Sequence, residues 1–287
     1  MSTPLIIAPL IIALAPNGAT KQKTDHPDLP LSLNDIVDTA SAAWELGVTL
    51  LHLHIRTDDG KHSLDAAIYR DTIAAIRRAI GKQMVIQMTT ESVGVYSPPQ
   101  QIAAVQSIRP EAVSVALREL IPVSADANSL RENQTYENTA SKFFHWLRDE
   151  KILVQYILFS VAEIERYHQL LNREIIPADG HSVLFVLGRY TTTTNPGPEL
   201  LSQYLNLWAR SQSWMVCAFG QHEFDCLQSA VHNGGHIRVG FENCLLMRDG
   251  AVAKSNQALI MQSKKMAAQL NRPLADSEQT RILLGAT

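Results

Sequence analysis

The chain has 287 residues, of which 46% are hydrophobic and 18% charged, and its formal net charge is −3. This composition can build a large core, which excludes an intrinsically disordered protein. Because the charge is nearly balanced and no basic stripe is present, neither nucleic acid nor an anionic membrane is expected as a partner. Cys217, Cys226 and Cys244 lack the spacing of a metal site, and they indicate reduced thiols in a cytoplasmic protein.

The first apolar segment, residues 5–15, has the hydrophobicity of a membrane anchor or a signal peptide. No lysine or arginine precedes it, and Pro9 and Pro16 punctuate it. A signal peptide begins with positive charge, and a membrane span needs about 20 unbroken apolar residues. The segment therefore predicts a first buried strand, which ends at the turn-forming residues 16–18.

Further apolar segments alternate with helical patterns along the chain. The predicted strands span residues 10–15, 49–56, 84–89, 112–117, 152–159, 182–187, 214–218 and 236–241. The predicted helices span residues 32–47, 65–80, 97–109, 135–150, 162–173, 199–212, 222–233 and 255–269. Ser32 and Ser97 open their helices with capping patterns, and a short final helix is expected near Ser277.

The strict alternation of strands and helices predicts a (β/α)8 TIM barrel. We expect a single catalytic domain over residues 1–287, with a short C-terminal helical extension. Several strands are continuous apolar runs, as expected for parallel strands that are covered on both faces. A doubly wound open sheet is the alternative, but no strand is followed by the G-x-G-x-x-G turn of dinucleotide-binding proteins.

The second predicted strand carries two histidines that point the same way. Because alternate side chains of a strand share one face, His52, His54 and Arg56 lie on one side. Two imidazoles one pleat apart can bind one metal ion, although a buried histidine can also be a hydrogen-bonded core residue.

The eighth predicted strand offers a third ligand, since His236, Arg238, Gly240 and Glu242 share one face. Strands two and eight both flank strand one in a closed barrel, so Glu242 can approach the two histidines. Two imidazoles and one carboxylate leave open positions on the ion, which is typical of catalytic sites. These ligands favour Zn²⁺ and leave Fe²⁺, Mn²⁺ and Ni²⁺ open. The alternative is a buried Arg238–Glu242 ion pair without metal.

Other polar residues follow the predicted strands, where barrel enzymes place their functional groups. They are Asn17, Thr89, Thr90, Glu91, Arg118, Glu119, Arg189, His222 and Glu223. Four of them are the candidate substrate-binding residues: Asn17, Thr89, Thr90 and Arg189.

Several segments together resemble the β-keto acid cleavage enzyme family. The most distinctive are H-L-H-I-R at residues 52–56 and G-G-H-I-R-V-G-F-E-N at residues 234–243. Further matching segments are residues 16–19, 24–27, 86–90, 185–188 and 272–275. The likeness covers nearly the whole chain, and it implies a zinc-dependent TIM barrel that forms homo-oligomers, usually tetramers.

The resemblance also implies a reaction and roles for individual residues. His52, His54 and Glu242 match the zinc ligands of the family. Arg238 matches an arginine beside the reacting centre, and Thr89 matches the position of a hydroxyl that contacts the substrate carboxylate. The implied reaction joins a β-keto acid to the co-substrate acetyl-CoA and releases acetoacetate and a new acyl-CoA. In this chemistry the metal ion stabilises the enolate that attacks the thioester.

Two positions depart from the family pattern. Asn243 stands at a catalytic position where an aspartate usually serves in proton abstraction, and an amide cannot act as that base. Either Glu119, Glu91 or another carboxylate takes over as the base, or the chemistry differs, and Glu119 is the candidate catalytic residue. Thr20 stands where the amino-substrate branch has a carboxylate, so an aliphatic or otherwise uncharged keto acid is expected. Two other functions stay open, namely a metal-dependent hydrolase or aldolase and a catalytically silent metal-binding protein.

Overall fold

The computed structural model describes residues 8–122, 130–188, 196–208 and 211–286. Its strands are β1 (Ile12–Leu14), β2 (Leu50–Leu53), β3 (Ile55–Arg56), β4 (His62–Ser63), β5 (Val85–Thr89), β6 (Ala112–Ala116), β7 (Leu153–Leu158), β8 (His181–Leu187), β9 (Trp214–Ala218) and β10 (His236–Val239). Within the described ranges, eight parallel strands close into a barrel in the order β1, β10, β9, β8, β7, β6, β5 and β2. The closed ring confirms the predicted (β/α)8 barrel and shows that the open-sheet alternative is wrong.

Helices cover the outside of the barrel. They are α1 (Leu33–Glu45), α2 (Ala66–Ile80), α3 (Pro98–Ile108), α4 (Leu117–Leu120), α5 (Leu130–Asp149), α6 (Val161–Asn172), α7 (Pro198–Leu207), α8 (Glu223–His232), α9 (Asn256–Gln269) and α10 (Ser277–Leu283). Ser32 begins α1 with the expected capping box, in which its side chain accepts a hydrogen bond from the backbone of Asp35. In the described ranges no helix is both long and apolar enough to cross a bilayer.

The two faces of the strands form separate apolar clusters. One face packs beneath the surrounding helices, as Leu51 and Leu53 of β2 do. The other face fills the barrel, where Ile11, Leu50 and Val85 lie in one cluster. This alternation follows from the two-residue period of a strand, and it explains why most of the strands are buried throughout.

The C-terminal segment packs against the lower end of the barrel. Ala275, Leu283 and Leu284 belong to the same apolar cluster as the interior side chains of the strands. Arg272 holds this segment against the residues that precede β10. Its guanidinium donates hydrogen bonds to backbone carbonyl oxygens that include those of Val231 and Gly235. The helical extension expected from the sequence is therefore part of the barrel core.

Two strands end at least two residues before their predicted boundaries. The second strand ends at Leu53, and residues 55–56 leave the barrel to pair antiparallel with residues 62–63. Arg56 stabilises this departure by donating hydrogen bonds to the carbonyl oxygens of Gly18 and Gly60. The eighth strand ends at Val239, because Gly240 has a φ of +133°. The prediction that both strands continue further was wrong.

Candidate metal centre and active site

Three predicted ligand side chains meet at the mouth of the barrel. The Nε2 atoms of His52 and His54 are 3.1 Å apart. The Oε2 atom of Glu242 lies 3.5 Å from His52 Nε2 and 3.2 Å from His54 Nε2. All three residues are buried, and they form a group able to hold one metal ion among the described residues. The expectation that strands on either side of β1 bring these side chains together is confirmed.

The spacing of the three donor atoms fits a tetrahedral ion. Ligand atoms about 2.0–2.1 Å from a tetrahedral Zn²⁺ are about 3.3 Å from one another. The observed separations of 3.1, 3.5 and 3.2 Å bracket that value. Burial lowers the pKa of His52 to about 3, so its imidazole is neutral and able to donate a lone pair. The residues present therefore fit a divalent metal.

The residue that orients His52 is Gln87 of β5. His52 Nδ1 lies 2.8 Å from Gln87 Oε1, and because an amide oxygen only accepts, Nδ1 must carry the proton. The Nε2 lone pair then faces the other two ligands. Gln87 Nε2 in turn donates to Gln155 Oε1 at 3.4 Å, across the barrel interior. This support outside the ligand set fixes the tautomer that a metal requires.

We expect the change Gln87→Leu to weaken metal binding about 10–100-fold, as loss of such a support does elsewhere. Leucine fills a similar volume but leaves the Nδ1 proton of His52 without its acceptor. Competition with a chromophoric chelator measures the affinity. Gln101→Leu is the matched control, since Gln101 is equally buried but lies on α3. Equal affinity in both variants would contradict this role for Gln87.

Glu242 is held in place by the turn that follows β10. A Cβ at residue 240 would collide with the carbonyl oxygen of Ala15, so only glycine allows the chain to turn so close to β1. The Nζ atom of Lys21 donates to the carbonyl oxygen of Glu242 at 2.6 Å. Arg238 donates to Glu242 Oε1 at 2.9 Å. Although burial opposes ionisation, Arg238 and both imidazoles hold the pKa of Glu242 well below its usual range.

A cavity of about 230 Å³ opens beside these ligands. At one end it contains His52, Glu242 and Arg238, and its other wall is largely apolar. The lining residues are His52, Thr89, Glu91, Ser114, Ala116, Arg118, Glu119, Ile157, Phe159, Val186, Gly188, Phe219, Arg238 and Glu242. A cavity with an apolar wall and a few converging polar groups is the usual form of a small-molecule site.

The structure brings some predicted site residues to the cavity and leaves others outside its lining. Thr89, Glu119 and Arg238 line it. Thr90 instead donates from its hydroxyl to the carbonyl oxygen of Ser114. Arg189 lies outside the described residues. Substrate contacts by these residues stay predictions.

Asn17 and Asn243 are both buried but do not line the cavity. The amide of Asn17 donates to the carbonyl oxygens of Pro30 and His54, at 2.9 and 3.3 Å. Asn17 thereby holds the backbone of His54, one of the three candidate ligands. The side-chain oxygen and nitrogen of Asn243 have no hydrogen-bond partner.

Sequence reasoning missed Gln87, Ser114 and Lys21. A polar side chain at the centre of an apolar strand was the available signal for Gln87 and Ser114, since such a residue needs a buried partner. Ser114 lines the cavity, and its buried hydroxyl has no hydrogen-bond partner among the described residues. For Lys21 the sequence carries no signal, because its partner is a backbone atom 221 residues away.

Comparisons with known proteins identify the family of this chain. The profile of the β-keto acid cleavage enzyme family matches residues 9–285. A 3-keto-5-aminohexanoate cleavage enzyme of Fusobacterium nucleatum is 26% identical over 96% of this chain and 97% of its own length. A 3-oxoadipate:acetyl-CoA acetyltransferase of Cupriavidus necator is 27% identical over 96% of this chain and 95% of its own length.

Solved structures show the same fold at low sequence identity. The binary complex of ObcA with oxaloacetate has a TM-score of 0.66 and 12% identity, over 90% of this chain and 67% of that chain. The family match covers almost all of the sequence, and it includes the segments that build the three-ligand site. The chain therefore belongs to the β-keto acid cleavage enzyme family and is an acyltransferase that cleaves carbon–carbon bonds.

Proposed function

We propose that this enzyme converts a β-keto acid and acetyl-CoA into acetoacetate and a new acyl-CoA, with Zn²⁺ held by His52, His54 and Glu242. The observation that carries the proposal is the convergence of these three donors beside a cavity at the mouth of the barrel, in a chain whose family match spans residues 9–285. The names of two relatives support acetyl-CoA as co-substrate, since one is a 3-oxoadipate:acetyl-CoA acetyltransferase and another a 3,5-dioxohexanoate:acetyl-CoA acetone transferase.

The reaction requires two carbon–carbon steps. The α-carbon of the keto acid loses a proton, and the resulting enolate attacks the acetyl thioester, from which the CoA thiolate leaves. The thiolate then attacks the original ketone carbon. The bond between that carbon and the α-carbon breaks, which gives the new acyl-CoA and the enolate of acetoacetate, and the proton returns to carbon.

The residues around the cavity suit these steps. A bound divalent ion would supply a Lewis acid for the ketone oxygen. Arg238 lines the cavity and places a buried positive charge where negative charge develops. Thr89 lines the same end, where its hydroxyl can donate to the substrate carboxylate. Burial of the site strengthens both interactions because water is excluded.

The far wall of the cavity supports an uncharged substrate side chain. Ile157, Val186 and Phe219 line it, and each is largely shielded from solvent. Arg118 also lines the cavity, but its guanidinium lies 3.4 Å over the ring of Phe159 and pairs with Glu163 at 3.5 Å. A distal carboxylate or ammonium would lose hydration against this apolar wall. We therefore propose a short aliphatic β-keto acid as the substrate.

A panel of β-keto acids with acetyl-CoA tests the proposal, with acetoacetate as the measured product. We expect short aliphatic keto acids to give the highest kcat/KM. Keto acids with a distal carboxylate or amino group should be poorer by roughly 10-fold or more, because burying a charged group costs over about 1.4 kcal/mol. Turnover without acetyl-CoA would instead indicate a hydrolase or aldolase, and acetoacetate formation from none of the acids would contradict the proposal.

We further propose that the protein is cytoplasmic and forms a homotetramer. The family resemblance supports the tetramer, and three free, buried cysteines support a reducing compartment.

A further inference from the structure

We propose that Glu91 is the general base of this enzyme and removes the α-proton of the β-keto acid. The inference rests on the proposed function, because that reaction begins with loss of this proton. Glu91 follows β5 and lines the cavity. Its Oε2 atom lies 3.8 Å from His54 Nε2, and its side chain is 35% exposed, compared with 8% for Glu242. The carboxylate is therefore beside the ligands and open to the cavity.

Glu91 lies next to the three donor atoms without belonging to the ligand group. The donor atoms of His52, His54 and Glu242 are at most 3.5 Å from one another. The carboxylate of Glu91 contacts only one of the three within salt-bridge distance among the described pairs, namely that of His54. A small molecule that approaches the candidate ligands would therefore contact Glu91.

The other carboxylates of the cavity are engaged elsewhere. Glu242 binds Arg238 through Oε1 and faces both imidazoles through Oε2. Glu119 Oε2 accepts a hydrogen bond from the backbone nitrogen of Ser92 at 2.9 Å, which holds this carboxylate against the loop after β5. Of the three glutamates that line the cavity, Glu91 is the one that is adjacent to the ligands and not a ligand itself.

The proton transfer balances with the groups that are present. The α-carbon of a β-keto acid is two bonds from the ketone oxygen. When that oxygen faces the two imidazoles, the α-carbon is within reach of the Glu91 carboxylate, whose Oε2 atom lies 3.8 Å from His54 Nε2. The C–H bond breaks, its electron pair stays on the keto acid as the enolate, and an O–H bond forms on Glu91. The same proton returns to the α-carbon of acetoacetate at the end of the reaction. The amide of Asn243 cannot accept it.

Exchange of the α-protons of acetoacetate with D2O tests the inference without acetyl-CoA. The reverse reaction must deprotonate acetoacetate, so the metal-loaded enzyme should accelerate exchange above the uncatalysed rate. We expect Glu91→Gln to lower the enzyme-dependent rate by about 10²–10⁴-fold. Bound metal, measured by elemental analysis, and the affinity for acetoacetate, measured by calorimetry, should stay as in the unchanged enzyme. Glu91→Asp should recover part of the rate.

Two further variants make the result specific. Glu45→Gln is the matched control, because Glu45 is exposed at the end of α1, and it should exchange like the unchanged enzyme. Glu119→Gln tests the rival base, which is identified if this variant loses exchange while Glu91→Gln keeps it. Retained exchange in Glu91→Gln, or loss of metal from it, would overturn the inference. If the unchanged enzyme gave neither exchange nor acetoacetate from any keto acid, the proposed function itself would fail, which is a separate outcome.

Discussion

The changes His52→Ala and Glu242→Ala are each expected to remove nearly all bound divalent metal and to lower kcat/KM on the order of 10³-fold or more. Each change deletes one of three converging donor atoms, and two remaining protein ligands hold such an ion poorly. Glu242→Ala also removes the buried negative charge that balances Arg238. Elemental analysis of the purified variants gives the metal content, and acetoacetate formation gives the activity.

His232→Ala is the matched control for these variants. His232 ends α8 and is exposed, so its loss should change neither metal content nor activity. Circular dichroism should show that all three variants keep the secondary structure of the barrel. Full metal content in His52→Ala and Glu242→Ala would exclude the assigned ligand set.

A second large effect is expected when Arg238 becomes methionine. In the metal-free protein, Arg238→Met leaves the Glu242 carboxylate buried without its guanidinium partner. Removing one member of a buried ion pair typically costs about 3–5 kcal/mol in the free energy of unfolding. The same change removes the positive charge that faces the reacting group, so kcat should fall by about 10²–10³-fold in the metal-loaded enzyme.

Urea denaturation in the presence of a chelator measures the stability effect. Arg109→Met is the control, since Arg109 pairs with Glu150 at 2.6 Å but its side chain is 59% exposed. That variant should lose less than about 1 kcal/mol, because water screens an exposed pair. Added Zn²⁺ should reduce the loss of unfolding free energy in Arg238→Met, because the ion would supply positive charge beside Glu242 in place of the guanidinium. Equal losses of unfolding free energy in Arg238→Met and Arg109→Met would contradict the buried Arg238–Glu242 pair.

The barrel was predictable from the sequence because its signal is repeated. Alternating apolar strands and capped helices recur eight times, so an error of a few residues at one boundary leaves the order unchanged. The departure of residues 55–56 from the second strand was not predictable in this way. It depends on hydrogen bonds from Arg56 to Gly18 and Gly60, and the alternating pattern looks the same whether or not the strand continues.

The convergence of His52, His54 and Glu242 was predictable because the strands that carry or precede them flank the same strand in a closed barrel. The choice between Glu91 and Glu119 as the proposed base was not predictable, since both follow strands at the same rim. Only the 3.8 Å distance to His54 and the hydrogen bond from Ser92 distinguish them. Gln87 likewise shows its role only when strand register places it beside His52.

The apolar C-terminal segment beneath the barrel has a consequence for how molecules reach the site. Leu283 and Leu284 pack against the interior cluster and cover the lower end of the barrel in the described part of the chain. We therefore expect both substrates and both products to pass the upper rim, where His52, His54 and Glu242 meet. A change that narrows this opening is expected to slow both substrate entry and product release.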